Sequence, residues 1–259
     1  MEVMLISNNP NEVGVWDEAG VNYTFVDLEY LGKEKRQGHL DTVFSKHNLQ
    51  DITSVRPYVR QGKLLVRINP LNQHSKTEID EVIERGADVI MLPMFYSEDD
   101  VSAVVDMIAG RCDLYPLIET PEALKRIEQL SSLSNVSGYH IGLNDLHLAL
   151  GTRFMFEILL QPDFERAVEV LRDRDIPFGF GGVARLGGGM LPAELILSEH
   201  KRLGSTRVIL SRQFKLEVEP QDASVEIKRL KDFYSNISAE QCEENRVRFI
   251  SRVKKIAAS

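Results

Sequence analysis

A buried strand is recognisable in Asp88-Val-Ile-Met-Leu-Pro-Met94, where apolar residues follow one another almost without interruption. Runs of this kind are typical of strands that are covered on both faces of a parallel sheet. Outward from it, in both directions, the chain contains further runs of the same type. The eight strand candidates span residues 2–7, 23–29, 63–69, 87–94, 113–119, 139–144, 177–183 and 206–212.

Helical segments with recognisable ends separate these strands. Ser75 and Glu78 have the spacing of a capping box, and Thr120-Pro121 supplies an N-cap followed by an N1 proline. A further helix is predicted over residues 191–204, where apolar residues recur at helical spacing.

Eight strands that alternate with helices predict a (β/α)₈ TIM barrel over residues 1–215. A doubly wound open sheet is the alternative, because it shows the same alternation. Residues 216–259 contain two more amphipathic segments. We interpret them as a C-terminal helical extension, either part of the same domain or an oligomer contact.

Composition limits the class of protein. The 259 residues carry a formal charge of −8, and clustered basic charge of the kind that nucleic acids require is not visible. No uninterrupted apolar run is long enough for a membrane span, and the first residues lack the pattern of a signal peptide. Two cysteines, Cys112 and Cys242, cannot form a disulfide framework. We therefore expect a cytoplasmic protein that binds neither nucleic acid nor membrane.

Charged side chains follow several of the strands. Glu119 and Asp145 end neighbouring strands and could share one divalent cation such as Mg²⁺ or Mn²⁺, which prefers oxygen ligands. Arg67 could hold a substrate carboxylate through its two-pronged guanidinium. The alternative for each residue is a helix N-cap or a surface ion pair.

Several motifs occur in an order that resembles the HpcH/HpaI aldolase/citrate lyase family. They are Val26-Asp-Leu-Glu29, Leu65-Val-Arg-Ile-Asn-Pro70, Gly86-Ala-Asp-Val-Ile-Met-Leu-Pro-Met94, Leu117-Ile-Glu-Thr120 and His140-Ile-Gly-Leu-Asn-Asp-Leu146. The resemblance implies a barrel of the phosphoenolpyruvate/pyruvate superfamily, which is often oligomeric. It further implies Mg²⁺, Mn²⁺ or Co²⁺ as cofactor and a pyruvate or acyl-CoA enolate as intermediate.

The same resemblance assigns roles to particular residues. Glu119 and Asp145 would be the metal ligands, Arg67 would bind the 2-oxo acid, and Glu29 would be an acid close to the waters of the metal. Tyr30, however, occupies the place of a histidine that acts as the base in the aldolases of the family. We favour His39 as the base, with a plain surface histidine as the alternative; His47, His74 or a metal-bound water are other candidates.

Further residues are predicted to bind substrate. Gly142 and Asn144 stand just before Asp145 at the end of a strand. Arg185 and Gly188 lie in a glycine-rich loop before a helix, where backbone N–H groups could face a phosphate, although a plain flexible turn fits equally well. Arg212 ends the last strand and could add positive charge.

The resulting hypothesis is a metal-dependent class II pyruvate-type aldolase, a carbon–carbon lyase. It would cleave or form a 4-hydroxy-2-oxo acid through a metal-stabilised pyruvate enolate, with a 2-oxo acid and an aldehyde as partners. One alternative is an acyl-CoA lyase resembling the citrate lyase beta chain. Another is a catalytically degenerate barrel that serves as a binding subunit. We expect a homo-oligomer in each case.

Overall fold

Nine parallel strands form one curled sheet in the computed structural model, which describes residues 1–32 and 47–259. The strands are β1 (Glu2–Ile6), β2 (Tyr23–Asp27), β3 (Lys63–Arg67), β4 (Val89–Met91), β5 (Asp113–Leu114), β6 (Leu117–Ile118), β7 (Tyr139–Ile141), β8 (Phe178–Val183) and β9 (Arg207–Leu210). Their order is β5-β4-β3-β2-β1-β9-β8-β7-β6. The first strand therefore pairs with the last, and strands adjacent along the chain are neighbours except β5 and β6, which stand at the two ends of this order. This order excludes the doubly wound alternative, in which the strand order reverses.

The one difference from the predicted eight strands lies at Pro116. A single strand was expected over residues 113–119, but the structure divides it into β5 and β6. Tyr115 N donates to Ile90 O on the β4 side at 2.8 Å, and Pro116 O accepts from His140 N on the β7 side at 3.0 Å. Proline has no N–H group to donate on the β7 side, so the pairing is irregular there, although Leu117 N still donates to Leu92 O at 2.8 Å. The sheet is thus consistent with a TIM-like barrel whose ladder is not fully closed.

Twelve α-helices are assigned within the described residues, together with three short 3₁₀ helices. The α-helices are α1 (Pro10–Glu18), α2 (Leu49–Val55), α3 (Ser75–Glu84), α4 (Glu98–Ile108), α5 (Pro121–Lys125), α6 (Ile127–Leu130), α7 (Leu143–Leu150), α8 (Pro162–Asp173), α9 (Ala193–Leu203), α10 (Arg212–Glu217), α11 (Ala223–Asn236) and α12 (Ala239–Ala258). The 3₁₀ helices are Arg56–Tyr58, Met155–Leu160 and Pro220–Asp222.

Two of the predicted helix starts need correction. Ser75 is the first residue of α3 rather than its cap, and its hydroxyl accepts from Asn72 N at 2.9 Å. Glu78 accordingly does not close a capping box; it accepts hydrogen bonds from Asn69 instead. The helix expected from residue 191 begins at Ala193, because Pro192 precedes it in an extended conformation. The predicted Thr120 cap is confirmed, since its hydroxyl accepts from Ala123 N.

The strands separate two apolar cores. The larger core fills the space between the sheet and the helices. A smaller core inside the curled sheet contains Met4, Phe25, Leu65, Met91 and Leu117, each from a different strand. Side chains alternate along a strand, so the residues two positions further on lie on the same inner side. For β2, β3 and β6 those residues are Asp27, Arg67 and Glu119. The alternation thus directs charged side chains to the carboxyl end of the sheet.

The last helix packs on the barrel of its own chain. Phe249 and Val253 of α12 are fully buried. Arg246 Nη1 donates to Glu199 Oε2 on α9 at 2.8 Å, and Asn245 Nδ2 donates to Ser198 Oγ at 2.9 Å. An oligomer contact through residues 216–259 stays a prediction. Within the described part of the chain, no helix is long and apolar enough to cross a membrane.

Candidate active site at the carboxyl ends of the strands

Arg67 lies next to Asp27 because β2 and β3 pair with these two residues in register. Arg67 Nε and Nη2 each donate to one carboxylate oxygen of Asp27 at 2.8 Å. Arg67 Nη1 is 3.4 Å from Glu29 Oε2, and both carboxylates are buried. The sequence predictions included Arg67 and Glu29 but missed Asp27. The signal was present, since the inward alternation through Phe25 continues to residue 27.

The charge of Arg67 is fixed by these neighbours. Burial disfavours the charged guanidinium, but the charge and hydrogen bonds of Asp27 outweigh burial and raise the pKa of Arg67. Glu29 and Glu119 add to the same effect. Arg67 therefore remains a cation at any physiological pH. The influence of Glu119 also indicates that carboxylates from the ends of β2 and β6 lie around the guanidinium at the end of β3.

Glu119 is held from two sides. It is 3% exposed, and its Oε1 accepts from Met94 N at 3.1 Å. Met94 has a φ of 49°, a left-handed conformation that is uncommon for a residue with a side chain. On the other side, a Cβ atom placed on Gly142 would lie 3.0 Å from Glu119 Oε2. The glycine thus leaves the space that this carboxylate oxygen needs.

Asp145 shares a cavity with Glu119. The cavity measures about 320 Å³ and is also lined by Met94, Tyr96 and Thr120. Asp145 is half-buried in the first turn of α7, and Gly142 and Asn144 lie beside it at the start of this helix. The structure therefore brings the two predicted metal ligands to one cavity, whereas Gly142 and Asn144 are near Asp145 along the chain but do not line it.

The donor set fits a hard divalent cation in part. No group of three or more His, Cys, Asp or Glu side chains that could hold a metal occurs within residues 1–32 and 47–259. Two carboxylates at one cavity nevertheless suit Mg²⁺ or Mn²⁺, which commonly keep water or substrate oxygens in their remaining positions. Glu119 and Asp145 are the residues that would hold such an ion.

The glycine-rich loop does not present the free amides that were expected of it. Gly187 N donates to Glu194 Oε1 at 2.7 Å, and Gly188 N donates to Arg185 O at 2.9 Å. Arg185 itself lies 3.9 Å from Glu217. These two amides bond to acceptors of the protein, so the loop lends no support to a phosphate site. The binding roles of Arg185 and Gly188 stay predictions, as does that of Arg212, which is exposed at the first residue of α10.

The histidines have different surroundings. His39, the favoured base, lies outside the described residues. His47 Nδ1 accepts from Asp27 N at 3.0 Å, so the neutral ring carries its proton on Nε2. His74 is exposed. His140 is buried inside the sheet, where desolvation lowers its pKa to about 4. His140 is therefore neutral near pH 7. The hydrogen bond from Asp27 N thus joins His47 to the Asp27–Arg67 pair.

The fold and this site define a class of protein, an α/β barrel-like chain with carboxylates and an arginine at the carboxyl ends of its strands. Residues 41–157 match the sequence model of the HpcH/HpaI aldolase/citrate lyase family. The resemblance predicted from the motifs is confirmed by this match and by the solved structures that share the fold. The comparison with curated proteins gives no significant match.

Three solved structures illustrate the shared fold. An HpcH/HpaI aldolase/citrate lyase family protein from Burkholderia cenocepacia J2315 has a TM-score of 0.66 at 11% identity, over 89% of this chain and 94% of that chain. An HpcH/HpaI aldolase from Desulfitobacterium hafniense DCB-2 has a TM-score of 0.60 at 15% identity, over 92% of this chain and 94% of that chain. RipC from Yersinia pestis has a TM-score of 0.60 at 16% identity, over 93% and 97%.

Proposed function

We propose that this protein is a metal-dependent aldolase that cleaves or forms a 4-hydroxy-2-oxo acid, with pyruvate as the three-carbon partner. The family match supports a lyase. The observation that carries the proposal is the convergence of Glu119, Asp145 and Arg67. Glu119 shares one cavity with Asp145 and acts electrostatically on Arg67. We therefore place an anion site at Arg67 beside a cation site at Glu119 and Asp145, because a 2-oxo acid requires both.

Each side chain has a defined task in this reaction. Asp27 accepts from the Nε and Nη2 groups of Arg67, so a substrate carboxylate would bind at Nη1, which it would share with Glu29. Glu119 and Asp145 would hold a divalent cation, which when bound supplies stabilisation of the negative charge that develops on the enolate oxygen. Glu29 is a buried carboxylate 3.4 Å from Arg67 Nη1, close enough to exchange a proton with a group bound there. His47 can donate through Nε2 while Asp27 N fixes its ring.

A pyruvate-release assay with Mn²⁺ or Co²⁺ across 4-hydroxy-2-oxo acids tests this proposal. We expect Glu119→Gln and Asp145→Asn each to lower kcat/KM by roughly 100-fold or more, because each removes a charged ligand. Glu84→Gln is the matched control, since Glu84 is an exposed carboxylate at the end of α3. Full activity in the presence of a chelator, or in Glu119→Gln, would contradict the metal-dependent mechanism.

A second candidate, an acyl-CoA lyase, is favoured by one observation. Tyr30, which takes the place of the family histidine, is 69% exposed. Because this residue is a tyrosine, no imidazole is available at that position to act as the base of an aldolase. Calorimetric titration with a CoA thioester separates the two functions. Affinity for the thioester without pyruvate release would support the acyl-CoA lyase, and absence of both, together with absence of Mn²⁺ binding, would support a degenerate barrel.

A further inference from the structure

We propose that Asn69 is a positioning residue that sets the Glu29 carboxylate against Arg67. This inference depends on the proposed function, because Glu29 and Arg67 are part of its site. Asn69 follows β3, two residues beyond Arg67, and is 5% exposed. Its side chain forms hydrogen bonds to two other segments of the chain.

The first segment is the backbone that follows Glu29. Asn69 Oδ1 accepts from Tyr30 N and from Leu31 N, both at 3.1 Å. The last backbone bond between the two strands is Leu28 N to Arg67 O at 2.9 Å. The side-chain oxygen of Asn69 thus extends the β2–β3 pairing beyond its last backbone bond. We call this pair of bonds the Asn69 clamp.

The second segment is α3, which anchors the clamp. Asn69 Nδ2 donates to Glu78 Oε1 at 2.8 Å, and Asn69 N donates to the same oxygen at 3.1 Å. Backbone N–H groups can only donate, so the oxygen of the amide must face Tyr30 and Leu31 and its nitrogen must face Glu78. Only a side chain with an acceptor and a donor satisfies both neighbours. Aspartate would place two carboxylates together, and leucine would satisfy neither side.

Glu29 is fixed between the clamp and Asp27. Its own N–H donates to Asp27 Oδ1 at 3.2 Å, and the residue that follows it is held by Asn69. With the backbone secured on both sides, the buried carboxylate has little freedom and lies 3.4 Å from Arg67 Nη1. Loss of the clamp should let Glu29 move away from Arg67, while Asp27 keeps the guanidinium in place.

The test compares Asn69→Leu with Asn72→Leu in the full chain. Asn72 is the matched control, because its side chain lines the same cavity as Asn69 but forms its hydrogen bonds to Pro70 O and His74 N rather than to Tyr30 and Leu31. For Asn69→Leu we expect faster hydrogen exchange at the amides of Tyr30 and Leu31, and a crystal structure with the Glu29 carboxylate displaced from Arg67. In the pyruvate-release assay kcat should fall about 10- to 100-fold with little change in KM, since a misplaced group costs rate more than binding.

Asn69→Asp separates positioning from stability. It keeps an acceptor for Tyr30 and Leu31 but turns a carboxylate toward Glu78, whose pKa burial already raises. We expect a lowered Tm but a kcat well above that of Asn69→Leu. If kcat instead follows Tm through all three variants, Asn69 has a structural role only and the proposal is overturned.

The outcomes also distinguish this inference from the proposed function. Absence of lyase activity in the unmodified protein would contradict the proposed function. The hydrogen-exchange rates and the position of Glu29 would still test whether the Asn69 clamp positions Glu29. Unchanged exchange and an unmoved Glu29 in Asn69→Leu would refute the inference even in an active enzyme.

Discussion

Gly142→Ala is the most direct perturbation of the two-carboxylate site, because it adds one methyl group beside Glu119. The φ of Gly142 is −82°, which alanine adopts without strain. The added Cβ would lie 3.0 Å from Glu119 Oε2, 3.1 Å from Glu119 Cβ and 3.2 Å from Leu117 Cδ1. The Glu119 side chain must therefore move, so the variant tests the position of this carboxylate rather than the backbone conformation of residue 142.

The size of the effect follows from these contacts. Ordinary carbon contacts begin near 3.4 Å, so the carboxylate must move by about 0.4 Å. Metal ligands tolerate deviations of only about 0.2 Å, and a misplacement of about 1 Å costs about 100-fold. A displacement of this size should weaken Mn²⁺ binding and lower kcat/KM by roughly five- to tenfold.

Calorimetric titration with Mn²⁺ measures the first effect and the pyruvate-release assay the second. Gly14→Ala is the matched control, since its Cβ would make only an ordinary contact at 3.4 Å with Tyr58. An alanine within α1 should stabilise the protein by up to about 1 kcal/mol and leave Mn²⁺ affinity unchanged. Equal Mn²⁺ affinity in Gly142→Ala and the unmodified protein would refute the reasoning that Gly142 makes room for a ligand.

Three further perturbations test other parts of the structure. Met94→Gly should be more stable than Met94→Ala by about 1 kcal/mol, because φ is positive at this position and glycine adopts such a φ without strain. Urea unfolding measures the two free energies, and a more stable alanine variant would contradict the argument from strain. Burial lowers the pKa of His140 to about 4, whereas the same histidine in the unfolded chain takes up a proton near pH 6.5. The free energy of unfolding should therefore fall by about 3 kcal/mol as the pH drops from about 6.5 to 4. His140→Gln should flatten that fall in unfolding free energy, and an unchanged slope would contradict the burial argument. Arg246→Met removes one of two arginine partners of the fully buried Glu199, since Arg202 remains, and should cost about 1.5–3 kcal/mol by the same measurement. A change below about 0.5 kcal/mol would show that α12 does not depend on this pair.

The order of strands and helices could be predicted because its signals are local. Apolar runs, capping residues and the alternation of inward side chains are properties of short segments, so all eight strand positions and several of the helices were found. The break at Pro116 depends on which neighbours the segment pairs with on each side. Pro116 is a local signal within the predicted strand, but the neighbours on its two sides follow from curling of the whole sheet.

In the candidate site, too, the sequence identified individual residues, and the tertiary structure determined their partners. The sequence indicated Arg67, Glu29, Glu119 and Asp145 as polar residues at strand ends, because motifs and strand boundaries identify them one at a time. It predicted that Glu119 and Asp145 could share one cation, but it did not indicate the pairing of Arg67 with Asp27.

Tertiary structure decided those partners. Register placed Asp27 opposite Arg67, and the path of α3 brought Glu78 to Asn69. In the glycine-rich loop, Glu194 accepts a hydrogen bond from the amide of Gly187, one of the backbone N–H groups considered for binding an anion. A hydrogen bond between distant segments depends on distances of a few tenths of an ångström, which only the packed chain determines.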